Sequence, residues 1–570
     1  MHRNRLVFAA VILPLLLSAL PLAALATGSD DVDLEMVTKI RDEGFRHSKV
    51  MEILSELTDR IGPRLTGSPQ MKRANEWTRD QFTSWGLVNS HLESWGPFGR
   101  GWSLESVSVR MTSPDVAPFY AIPQAWTPGT NGAITAKAIK IKAEKVEDFE
   151  KYKGKLAGLI VLNGDMREVK PHEDAEMRRY DEKGLDNVAR YGIPTGRPAT
   201  DPQEIRRRRE FARKLAEFFA AEKPAAVIDP ARGDGGTLFV QSGGPFRVDD
   251  TTPAVPRLTM AIEHYGRVAR LLDRNQPVEL EVNVATRFYD DAGTQFNTVA
   301  EIPGTDKKDE LVMLGAHLDS WHSGTGATDN GAGSAVIMEA VRILKALGVK
   351  PRRTIRVGLW SGEEQGLLGS RGYVREHFGG RPEPANQQER DPAFLQPRGP
   401  LTIKPDQKKV SAYFNVDNGS GKIRGIYCQE NAAVRPLFEA WLEPFKDLGA
   451  NVVSLRNTGG TDHLSFDAVG IPGFQFIQDP LEYDTRTHHS NMDVYERAQR
   501  DDMMQAAVIL ASFVYNAAMR EQMMPRKPLP PDEPARPPER RAEAAGGGPG
   551  DGSNGAKSSA APASFIPLHE

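Results

Sequence analysis

From about residue 295 the chain alternates short apolar runs with amphipathic stretches, and this alternation restricts the fold more than any other feature. Leu311-Val-Met-Leu-Gly, Thr354-Ile-Arg-Val-Gly-Leu-Trp, Ser411-Ala-Tyr-Phe-Asn-Val and Gly473-Phe-Gln-Phe-Ile read as strands. Ser334 to Leu347, Gly366 to Phe378, Ala432 to Leu448 and Arg497 to Met519 read as the helices between and after them. Near-continuous apolar strands alternating with helices describe an α/β fold whose sheet is covered on both faces. Ligands of such sheets bind outside the carboxyl ends of the strands.

Five polar features sit at those ends. His317-Leu-Asp319 follows the first strand, and Thr328-Asp329-Asn330-Gly-Ala-Gly precedes the next helix. Glu363-Glu364 follows the second strand, Asp417 closes the third, and His488-His489-Ser-Asn-Met-Asp493 follows the last. Each feature alone reads as an ordinary loop or turn. Together they place histidines and several carboxylates in one region. The only cysteine among 570 residues is Cys428, so disulfides, zinc ribbons and iron–sulfur clusters are excluded and any metal must take His, Asp and Glu ligands. That donor set suits zinc with nitrogen and oxygen ligands. A net charge of −4 argues against a general nucleic-acid binder, and Arg206 to Arg209 reads as a solvated helix face beside Glu204 and Glu210.

The quoted motifs, with Gly62-Pro-Arg-Leu-Thr-Gly-Ser-Pro near the start, resemble the co-catalytic zinc exopeptidase family, in its bacterial secreted aminopeptidase and carboxypeptidase Q-like branches. The resemblance covers roughly residues 33–520. It implies a zinc-exopeptidase sandwich with a mixed, mostly parallel central sheet flanked by helices. It also implies two Zn2+ per chain. Asp329 bridges the ions, His317 and Asp417 complete one site, and Glu364 and His489 complete the other. Glu363 becomes the general base, and Asp319 orients His317 through its free ring nitrogen. His489 is preferred to His488 because the family pattern places Asp four residues later, here Asp493. His488 is then a pocket or packing residue, His322 a rim residue, and Asp462 and His463 pocket-lining contacts. The family also implies a cis peptide at Asp329–Asn330. Three ligand carboxylates and a hydroxide bridging the ions neutralise two Zn2+ ions, which favours ionised water near neutral pH.

The expected organisation follows. Residues 1–26, a basic start, an apolar run and Ala24-Leu25-Ala26, read as a secretory signal peptide, so the protein is expected to be secreted or periplasmic with no membrane span after its removal. Residues 27–125 and 286–523 form a discontinuous catalytic domain, and residues 126–285 resemble an inserted small α/β protease-associated domain. Residues 524–570 read as a disordered Pro/Gly/Ala-rich tail. The expected partner is a peptide or dipeptide cleaved at its N-terminal bond, with a homodimer as the assembly the family allows. Carboxypeptidase or glutamate-carboxypeptidase-like activity is the alternative. A receptor-like binding protein on the same fold is the non-enzyme alternative. No G-x-S-x-G elbow and no H-E-x-x-H helix occurs.

Overall fold

Four parallel strands, Arg353–Trp360, Lys307–His317, Val410–Asn415 and Gly473–Gln478, lie side by side at the centre of the computed structural model. The model describes residues 32–190, 202–290, 293–382, 399–530 and 532. The expected signal peptide, residues 1–26, and nearly all of the tail beyond 530 lie outside the described residues. Antiparallel strands Thr294–Ile302 and Val88–Pro97 extend one edge of the sheet, and Ile423–Tyr427 with Val452–Ser454 extend the other, giving eight strands in all. The sheet is therefore mixed with a parallel centre, and the strands at that centre are buried on both faces.

Helices Leu34–Arg46, Val50–Ser55, Ala332–Ala346 and Arg500–Met519 cover one face. Leu368–His377 and His463–Asp467 cover the other, where Tyr413 and Phe466 stack at 3.9 Å between ring centroids. Arg500–Met519 is long and apolar enough to cross a membrane, yet from Asp502 to Ala518 it is buried within the protein core. The stretch expected as one helix from Ala432 to Leu448 is α-helical only over Arg435–Leu442 and tightens to a 3-10 turn over Glu443–Leu448. Pro444 has no N–H to continue the helical ladder, which accounts for the change.

A second eight-stranded sheet runs in the order Ala117–Phe119, Gly101–Ser113, Glu279–Tyr289, Ile134–Ile141, Ile160–Asn163, Ala226–Pro230, Arg257–Met260 and Ala121–Pro123. Its strands begin at Gly101 and end at Tyr289, a wider span than residues 126–285. The long pairing of Gly101–Ser113 with Glu279–Tyr289 ties that early strand to this sheet. Leu215 and Phe219 of helix Pro202–Glu222 and Tyr265 and Val268 of Ile262–Asp273 pack against it.

The chain stays packed past residue 523. Met524 is buried and its N–H donates to Ser411 Oγ at 3.0 Å. Arg526 donates to the carbonyls of Val410, Gln407 and Gly470, and Lys527 pairs with Asp467 at 2.8 Å. These anchors lie at the amino end of strand Val410–Asn415.

Candidate metal centre

The carboxyl ends of the four central strands bring the polar features into one buried cluster. His317 is the last residue of its strand, with its carbonyl held by Ser334 Oγ at 2.8 Å. Its Nδ1 lies 3.0 Å from the main-chain oxygen of Asp319 and 3.6 Å from that residue's carboxylate. The orienting contact is thus made by the Asp319 backbone. The Asp319 carboxylate accepts instead from the main-chain N–H groups of Glu363 at 3.2 Å and Glu364 at 3.3 Å, and from Thr66 Oγ1 at 2.9 Å. Gly362, at φ +71°, makes the turn that brings those two N–H groups round.

Asp329 sits at the entry to helix Ala332–Ala346, and the Asp329–Asn330 peptide is cis. Asp493 cradles this turn, accepting from Thr328 N at 2.6 Å, Thr328 Oγ1 at 2.8 Å and Asp329 N at 3.1 Å. Asn330 donates to Val416 O at 2.9 Å and so ties the turn to the neighbour of Asp417. Beneath the cluster, fully buried Arg64 donates to five main-chain carbonyls, those of Leu57, Gly62, Leu318, Thr325 and Gly326. A Cβ on Gly326 would stand 2.3 Å from Ser320 Cβ, so only glycine allows this close packing.

The two oxygens of Asp329 face different groups. Oδ1 lies 3.3 Å from His317 Nε2, which is also 3.4 Å from Asp417 Oδ1. Oδ2 lies 3.2 Å from His489 Nε2, which is 2.9 Å from Glu364 Oε2. Glu363 Oε2 stands 4.0 Å from His317 Nε2. His488 approaches Asp329 Oδ2 only to 3.8 Å and stacks on Tyr483 with ring centroids 4.6 Å apart. His322 is buried, with Nε2 donating to Pro123 O at 2.7 Å and its ring edge-on to Trp102. His463 is buried against Thr458 O at 3.0 Å. Asp462 is buried with both carboxylate oxygens lacking hydrogen bonds. Cys428 is a buried free thiol, and burial pushes its pKa up to about 12.

The donor set fits cations. Asp329 Oδ2, both oxygens of Glu364 and Asp417 Oδ1 are buried without a hydrogen bond. The ring nitrogens come close to them without hydrogen-bond alignment, as groups sharing a metal do. A buried carboxylate with no donor is costly unless a cation meets it. Burial raises Glu363 well above the carboxylate range, and burial with repulsion from Asp329 brings Glu364 up to about 7. Burial opposes charging His489, but Glu364 and Asp329 still lift it to about 10. Burial likewise opposes His317, which Asp417 and Glu363 nevertheless hold well above the imidazole range. Without metal the cluster holds protons that cations would displace.

Residues 297–514 match the model of peptidase family M28. This stretch is similar to that family. It contains all five expected ligands, His317, Asp329, Glu364, Asp417 and His489, together with Glu363 and Asp319. Over 486 residues, 85% of this chain and 88% of the relative, the chain is 26% identical to carboxypeptidase Q of Rattus norvegicus. In fold it is similar to a peptidase M28 precursor from Shewanella amazonensis, with TM-score 0.61 and 24% identity over 88% of this chain and 100% of that one. It is also similar to a zinc aminopeptidase from Bacillus subtilis, with TM-score 0.51 and 19% identity over 83% and 95% of the two chains. These likenesses support a metallopeptidase, and the matched family implies zinc.

Thr66 and Arg64 carry no individual signal of a site role in the sequence. Arg64 and Thr66 lie within the opening Gly62-Pro-Arg-Leu-Thr-Gly-Ser-Pro motif, the one signal that pointed near them.

Proposed function

We propose that the protein is an exported di-zinc exopeptidase that removes the N-terminal residue of peptides or dipeptides. The observation that carries this reading is the divided approach to Asp329, with His317 and Asp417 on one oxygen and His489 and Glu364 on the other. In this reading His317 and Asp417 would hold one ion, His489 and Glu364 the other, and Asp329 would serve both. Two zinc ions bound there supply Lewis acidity and lower the pKa of water they hold. Glu363 takes the proton of the attacking water as its oxygen bonds to the scissile carbonyl carbon. It then delivers that proton to the leaving nitrogen as the C–N bond breaks. Asp319 fixes the main chain from which both glutamates project, and Asp493 does the same for Asp329. The sheet from Gly101 to Tyr289 is read as the protease-associated insert, and residues 1–26 as the signal for export.

Retention of Glu363 and of every expected ligand supports an enzyme over a receptor-like binding protein. Similarity to carboxypeptidase Q favours a second reading, cleavage at a free C-terminus. One experiment separates these. Purified protein is assayed for zinc and offered peptides that are free, N-acetylated or C-amidated. The proposal expects two zinc per chain, cleavage of free and C-amidated peptides, and resistance of N-acetylated ones. Cleavage of acetylated but not amidated peptides selects the carboxypeptidase reading. Glu363→Gln is expected to keep zinc and lose turnover by about 10²–10⁴-fold. Wild-type turnover in that variant ends the mechanism.

A further inference from the structure

His489 comes from the central sheet, yet the group that meets its other ring nitrogen comes from the second sheet. Gln241 Nε2 lies 3.0 Å from His489 Nδ1. Gln241 follows a short segment between strands Ala226–Pro230 and Arg257–Met260 that runs antiparallel to the His489 loop, with a bridge between Phe239 and Ser490. Val240 N donates to His489 O at 3.0 Å, and Asn491 N donates to Leu238 O at 3.1 Å. Leu238 N donates to Asn491 Oδ1 at 2.7 Å. His489 itself stands at φ +61°, a left-handed conformation that a non-glycine residue holds only when its surroundings impose it. The pairing supplies that constraint. The main-chain carbonyl of Gln241 is held in turn by Ala125 N at 3.0 Å, so the side chain projects from an anchored backbone.

We propose that Gln241 is a positioning residue for His489, setting the orientation and tautomer of its imidazole from the second sheet. This rests on the reading of His489 as a zinc ligand through Nε2. A ring that gives Nε2 to a metal carries its proton on Nδ1 and needs an acceptor there. The Gln241 amide offers that acceptor as Oε1 by turning about its last bond, with no movement of its backbone. It touches no reacting atom and acts through His489 alone.

The test compares full-length wild type, Gln241→Met and Gln241→Glu. Zinc affinity is read by competition with a chelating dye, alongside kcat and KM and the unfolding midpoint of metal-free protein. Gln241→Met fills the same space with no acceptor and is expected to weaken the zinc read as held by His489 by about 10–100-fold and to lower kcat more than KM changes. Gln241→Glu keeps an acceptor at the same reach and is expected to restore zinc affinity. Metal-free unfolding midpoints that match across the three proteins separate this role from a general loss of packing. Wild-type zinc affinity and kcat in Gln241→Met overturn the proposal, as does equal weakening in both variants. A wild type that binds no zinc overturns instead the reading of the site on which the proposal rests.

Discussion

Replacing Asp319 by asparagine changes one atom and leaves the shape, so its effect isolates what the carboxylate does. As found, Oδ1 accepts from Glu363 N at 3.2 Å, while Oδ2 accepts from Glu364 N at 3.3 Å and Thr66 Oγ1 at 2.9 Å. An asparagine keeps one of those oxygens. Turned one way, its NH2 faces Glu363 N–H. Turned the other way, it faces Glu364 N–H, and the Thr66 hydroxyl rotates to accept. Either way one main-chain donor of the glutamate pair loses a charge-assisted partner and meets another donor. A hydrogen bond to a charged group contributes about 1.5–3 kcal/mol, so the loss corresponds to about 10- to 100-fold if it is expressed fully in the transition state. The side chains of Glu363 and Glu364 start from that displaced backbone, and a shift of about 1 Å alone is worth about 10²-fold in rate. The assay is kcat/KM on a peptide substrate with zinc per chain measured on the same preparation. Asp319→Asn is expected to fall by between one and two orders of magnitude, through kcat when Glu363 is displaced and through zinc content when Glu364 is. Activity and zinc both at wild-type level would refute the argument that this carboxylate holds the pair.

Two further predictions concern stability. Arg64→Met removes the donor from five main-chain carbonyls, and at about 1 kcal/mol for each net bond lost the penalty is about 3–5 kcal/mol after partial relaxation. Urea unfolding measures it, Arg64→Lys is expected to recover part of it, and a change below about 1 kcal/mol would remove Arg64 from the account. Burial holds His322 down to about 4 from 6.5, so the folded state keeps it neutral while the unfolded state takes up a proton. Its contribution is present above pH 6.5 and is lost as pH falls toward 4, up to about 3 kcal/mol in all. Denaturation of metal-free protein at pH 7 and pH 4 is expected to show a smaller acid loss in His322→Gln, whose amide can still donate to Pro123; equal losses would assign the acid sensitivity elsewhere.

The central sheet was legible because parallel strands buried on both faces must be apolar along their length, and Leu311–Gly315, Thr354–Trp360 and Gly473–Ile477 are nearly so. The cluster was legible for a related reason: strand ends point the same way, so polar residues just past them converge whatever the loops do. Helix 432–448 misled because its apolar spacing is regular while Pro444 removes a donor that the helical ladder needs. Gln241 was illegible because nothing local marks it. It meets His489 from 248 positions away, through a pairing that exists only once both sheets are in place. Likewise, which sheet receives strand Gly101–Ser113 is decided by its partner Glu279–Tyr289.

The docking of Met524, Arg526 and Lys527 has a practical consequence. These residues hold to Ser411, Val410, Gln407 and Asp467, at the end of the central strands opposite to Asp329 and Asp417. This segment thus lies on the far side of the sheet from the cluster. A fluorophore or surface tether attached at the exposed Leu529 stands at the back of the sheet, so the protein can be immobilised there with its strand-end cluster facing the solution.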